Sequence, residues 1–68
     1  MELINEFARV RVEVENKGRL RIFSPRFNRE LVIDPMEMDF LTLLDQEELI
    51  QLVKDVIVNK YQREPGEF

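Results

Sequence analysis

Val10, Val12 and Val14 alternate with Arg9, Arg11, Glu13 and Glu15, a period of two that predicts a strand with one apolar and one charged face. Leu20 and Ile22 resume the alternation between Arg19, Arg21 and Phe23, after the turn-forming Asn16-Lys17-Gly18. Register selects the loop. A two-residue Lys17-Gly18 loop would set Val14 opposite Arg21 and mix the two faces. A three-residue loop with Gly18 in the left-handed conformation sets Val14 opposite Leu20 and Val12 opposite Ile22. It also sets Glu13 opposite Arg21 and Glu15 opposite Arg19, cross-strand ion pairs that favour this register.

Ser24-Pro25-Arg26-Phe27-Asn28 ends the second strand, because proline donates no ladder hydrogen bond, and Arg29 to Ile33 reads as a third. Asp34-Pro35-Met36-Glu37 then carries a helix start: Asp34 as N-cap, proline at the first helical position, Glu37 closing a capping box, and Ile33 with Met38 as the staple. Met36, Phe40, Leu43 and Leu44 recur at helical spacing, which predicts a first helix from Pro35 to about Leu43 or Leu44. Asp45-Gln46-Glu47-Glu48 repeats the box with Leu44 and Leu49 as staple, so a second helix starts there. Its apolar residues Leu49, Ile50, Leu52, Val53, Val56, Ile57 and Tyr61 cover an arc near ~180°, wider than the roughly 100° stripe that one contact requires.

The expected fold is α+β: a three-stranded antiparallel meander followed by two helices packed on one face, with residues 1–61 as one small domain. The Pro-Gly punctuation of residues 62–68 predicts a flexible tail. A chain of 68 residues buries only about 60% of the surface it exposes when unfolded, and folds of this size commonly rely on disulfides, metals or further subunits. Cysteine is absent, which leaves association with a second copy or a larger protein. Charge-free runs such as Phe40–Leu44 fall far short of the roughly 20 apolar residues of a membrane span. The first residues lack a basic region followed by an apolar one, so no secretory signal is read and the expected location is cytoplasmic.

Lys and Arg number 10 against 14 Asp and Glu, a net charge of -4, which disfavours a globally basic nucleic-acid binder. The imbalance is local. Residues 1–34 carry seven basic and six acidic side chains, and residues 35–68 carry three basic and eight acidic. Arg9, Arg11, Arg19 and Arg21 fall on one sheet face, joined by Arg26 and Arg29 from the following turn, with Phe23 and Phe27 close in sequence. Arginines among aromatics on a sheet can neutralise phosphates and stack bases, so this face is a candidate charged rim or nucleic-acid surface. Glu13 and Glu15 offset it, and the glycine-aromatic signature of sheet RNA binders is missing.

Catalytic chemistry is sparse. The chain has no His, Cys or Trp, one Ser (Ser24) and one Thr (Thr42), so a nucleophile would require Ser24 with Lys17, Lys54 or Lys60, and Ser24 reads as turn chemistry before Pro25. Asp34, Glu37 and Asp39 offer oxygen ligands for a hard cation, but without calcium-loop spacing, and helix capping accounts for Asp34 and Glu37. No enzyme activity, cofactor, metal or small-molecule substrate is expected.

Phe7, Phe23 and Val32 fall on the arginine-bearing side, and Val58 lies among polar helix positions. With Tyr61 these five form a candidate protein interface. Met36 and Met38 read as core filler near a helix start. The run Phe7-Ala8-Arg9-Val10-Arg11-Val12-Glu13, with Arg29-Glu30-Leu31-Val32-Ile33-Asp34-Pro35 and Phe40, resembles the small accessory proteins of multicomponent phenol hydroxylases. That resemblance implies a non-catalytic factor that binds a large di-iron oxygenase component and takes part in its assembly. The Asn16-Lys17-Gly18 hairpin, the Pro25 break and the long second helix depart from that family, and no functional residue transfers from it. The expected function is a non-catalytic interaction module, either an accessory subunit of a larger complex or a self-associating oligomer, with a dimer favoured. A small nucleic-acid-binding or regulatory domain using the arginine face is the alternative.

Overall fold

The computed structural model describes residues 1–62. Its elements are β1 (Glu2–Ile4), β2 (Arg9–Val14), β3 (Leu20–Ser24), β4 (Arg29–Ile33), α1 (Pro35–Leu41) and α2 (Gln46–Val56), the last continuing as a π-helical turn, Ile57–Tyr61. The strands form one antiparallel sheet in the order β1-β2-β3-β4. The α+β class is as expected, but the sheet has four strands rather than three. The expected tail lies, apart from Gln62, outside the described residues.

Strand β1 escaped the sequence reading because three residues show no period. Asn5 builds its turn: the Oδ1 accepts from the amides of Phe7 at 2.8 Å and Ala8 at 3.0 Å, and the Asn5 N–H donates to the Ala8 carbonyl. Leu3 thereby pairs with Val10. Directly opposed residues of an antiparallel pair share a face, so Leu3 joins the apolar side.

The central hairpin has the expected register, with Val14 opposite Leu20, Val12 opposite Ile22 and Glu13 opposite Arg21. The Glu15 amide donates to the Arg19 carbonyl across the Asn16-Lys17-Gly18 loop. Gly18 is left-handed at φ 72°, and so is Lys17 at φ 65°. The ion pairs differ from those expected. Arg21 reaches diagonally to Glu15 and across to Glu30 on β4, not to Glu13. A guanidinium with several N–H donors can serve two carboxylates at once, and this one side chain ties the residue that follows β2 to β3 and β4.

Both helix starts form as expected. Asp34 accepts from the Glu37 amide while Glu37 accepts from the Asp34 amide, both at 3.0 Å. Asp45 and Glu48 repeat the box at 2.8 and 3.0 Å. Helix α1 is shorter than expected. It ends at Leu41, and the amides of Thr42, Leu43 and Leu44 bond three residues back, the tight turn usual where a helix gives way to a new cap.

The largest departure is in packing. Among the described residues none is buried; Val10, Val12, Leu20, Ile22, Ile33, Met38 and Leu44 are only half-buried. The helices therefore do not seal a sheet face. They lie beside β4, leaving an open cleft of about 520 Å³ lined by Leu31, Val32, Ile33, Phe40, Leu41, Leu44 and Leu52. Val53, in the middle of the apolar arc, is 51% exposed. No described helix is long and apolar enough to cross a membrane.

Candidate protein-association surface

The apolar arc of α2 remains open over its whole width. Leu49, Ile50, Leu52, Val53, Val56, Ile57 and Tyr61 are each between 37% and 54% exposed. An isolated exposed leucine is unremarkable on a folded protein, whereas seven large apolar side chains in one stripe mark a surface that excludes water only when covered.

The stripe continues onto the sheet. The π turn places the Gln62 amide on the Ile57 carbonyl at 2.7 Å, and this wider turn brings Tyr61 edge-on to Phe27, with ring centroids 5.4 Å apart and planes at 70°. Phe27 stands in the β3–β4 turn, where Asn28 takes the left-handed conformation at φ 52°, a geometry that asparagine tolerates. Phe27, Leu52, Val53, Val56, Ile57 and Tyr61 line an open groove of about 500 Å³. At its rim Arg26, Arg29 and Lys60 gather beside Phe27, Val56 and Tyr61. The Arg26 guanidinium lies 5.7 Å from the Phe27 ring centroid, within reach of the ring's negative face. None of the three cations has an ion pair among the described residues.

The five apolar residues singled out by sequence are not brought together. Phe23 and Val32 share the charged sheet face, opposite Arg11 and Arg21 respectively. Phe7 does not join them. It sits in the β1–β2 turn, 74% exposed, and its carbonyl accepts from the Arg26 guanidinium. Val58 and Tyr61 belong to the π turn.

The arginines also divide. Arg9, Arg11, Arg19 and Arg21 occupy the charged face, but Arg29 pairs with Ser24 and therefore lies with Leu31 and Ile33 on the apolar side. Arg26 stands in the turn. On the charged face Glu2, Glu13, Glu15 and Glu30 interleave with the four arginines, so that face has no net charge. Arg9 pairs with Glu2 at 3.5 Å, and Arg11 lies 6.0 Å from the Phe23 ring centroid. The hydrogen bond to Glu15, and then that to Glu30, raises the Arg21 pKa above its usual value.

Sequence reasoning grouped Phe27 with the arginine face, not with the α2 stripe, and misplaced Arg29. The parity of Arg29 with Leu31 and Ile33 carried the second signal. The first had none, since only the π turn brings Tyr61 to Phe27. Compared with known protein families, curated proteins and solved structures, the chain matches none.

Proposed function

We propose that the chain is a non-catalytic protein-association module whose fold is completed by a partner. The observation that carries this reading is the open α2 stripe in a chain with no buried side chain among its described residues. Hydrophobic burial is the dominant favourable term in folding, and a sheet and helices that meet only along an open cleft leave most of it unrealised. The accessory-subunit form of the reading draws on the resemblance to phenol hydroxylase accessory proteins, and the self-associating form on the surface itself.

The nucleic-acid alternative finds less support. Four of its arginines share their sheet face with four glutamates, two of which, Glu2 and Glu13, lie directly opposite Arg11 and Arg21, and the three cations away from that face border a greasy groove rather than a sheet platform.

Dye binding combined with light scattering tests the proposal. The chain held as a monomer by dilution is expected to bind an apolar-surface dye and to lack a cooperative melt. Bound to a partner or to itself, it is expected to lose dye binding. A cooperatively folded monomer that binds no dye would overturn it.

A further inference from the structure

We infer that the partner is a second copy of this chain, docked with its α2 antiparallel to the first about a two-fold axis near Val53. This inference rests on the association reading above and adds the occupant and its orientation.

Area is the first argument. The chain exposes 6298 Å², whereas a compact monomer of 8.2 kDa exposes about 4,500 Å². Leaving residues 63–68 out of both figures, and removing at most ~1.45 Å² per dalton for them, lowers the surplus from about 1,800 to about 1,000 Å². Obligate dimers bury roughly 1,000 to 2,500 Å² on each subunit, and the surplus falls in that range at both bounds.

Charge supplies the orientation. Asp45, Glu47 and Glu48 stand at the start of α2. Arg26, Arg29 and Lys60 stand at its far end, beside the Phe27–Tyr61 pair. Residues 45 and 60 are about 22 Å apart along a helix rising 1.5 Å per residue. A parallel pairing would set acidic start against acidic start and basic end against basic end. An antiparallel pairing sets each acidic start against the partner's basic end, twice by symmetry, with the apolar stripe between them. Such an isologous contact closes on itself, the commonest arrangement of soluble oligomers. An unrelated partner would have to reproduce both the stripe and this reversal of charge, which the chain already carries in itself.

The absence of cysteine makes cross-linking the direct test. Val53→Cys, at the axis, is expected to oxidise to a disulfide-linked species of twice the chain mass, while Gln46→Cys, at the start of the helix, is expected to remain uncross-linked. Light scattering of the unmodified chain from 1 to 200 µM is expected to show the dimer. Val53→Asp is expected to shift the population to monomer, and Val58→Asp, off the stripe, to leave it dimeric. Cross-linking through Gln46→Cys would overturn the antiparallel arrangement. A monomer at 200 µM that melts without cooperativity would overturn the self-partner and leave the association reading standing. A monomer at 200 µM that melts cooperatively would overturn both.

Discussion

If folding and association are one event, dilution alone must lower the melting temperature. Unfolding near 60 °C absorbs about 0.7 kcal/mol and gains about 2.1 cal/mol/K per residue. Two chains with residues 1–62 ordered therefore unfold with an entropy of roughly 0.26 kcal/mol/K per dimer. Each tenfold dilution favours two separate unfolded chains by about 1.4 kcal/mol. The ratio gives a fall of about 5 °C per decade of concentration, or about 10 °C between 200 and 2 µM. Circular dichroism at 222 nm in cells of different path length covers that range. Superimposable melts across the hundredfold range would refute the coupling of folding to association, because a monomer's midpoint is independent of its concentration.

Three further outcomes follow from local geometry. Asp45→Ala removes the cap of α2 and leaves the Glu48 amide unpaired, so a loss of about 1 kcal/mol is expected in urea denaturation, with a slope close to that of the unmodified chain. Gly18→Ala places a Cβ at a φ of 72° and within 3.2 Å of the Pro35 ring, for an expected loss of about 1 to 2 kcal/mol by the same measurement. Phe27→Ala deletes the edge-on partner of Tyr61, and tyrosine fluorescence is expected to change together with a fall in midpoint of a few degrees. An unchanged spectrum would show that the ring pair does not form in solution.

Elements defined by local chemistry were legible in the sequence. The β2–β3 register followed from valine parity, both helix starts from Asp-x-x-Glu boxes, and β4 from its β-branched run, because each is decided within a few residues. What was not legible depends on arrangement in space. Strand β1 is too short to show a period and is held by an asparagine turn. The diagonal reach of Arg21 to Glu15 depends on strand twist and rotamer, not on which residue lies opposite. The width of the α2 arc was visible as an excess over what one contact covers, yet its exposure in the folded chain was not, since the pattern does not say which apolar surface faces which. Of the candidate interface, Tyr61 lies on the stripe and Val58 does not, although Val58 directly follows the stripe residue Ile57, a distinction that helical geometry makes.

Salt separates the two uses that the cations could serve. Binding of single strands loses affinity with a slope of about 0.7 per neutralised phosphate on logarithmic axes. If Arg26, Arg29 and Lys60 each neutralised one, raising salt from 50 to 200 mM would weaken binding roughly 20-fold. Paired instead with Asp45, Glu47 and Glu48 of a second copy at a solvent-exposed rim, the same cations contribute orientation more than affinity, and apolar burial carries the association. Fluorescence anisotropy with a labelled oligonucleotide is expected to show no binding at 50 mM salt, because the chain has a net charge of -4 and the proposed dimer sets these cations against the second copy's carboxylates. Sedimentation is expected to show the dimer persisting at 1 M salt. Oligonucleotide binding at 50 mM that is lost by 200 mM, with a dimer that falls apart over the same range, would instead assign the basic rim to phosphate.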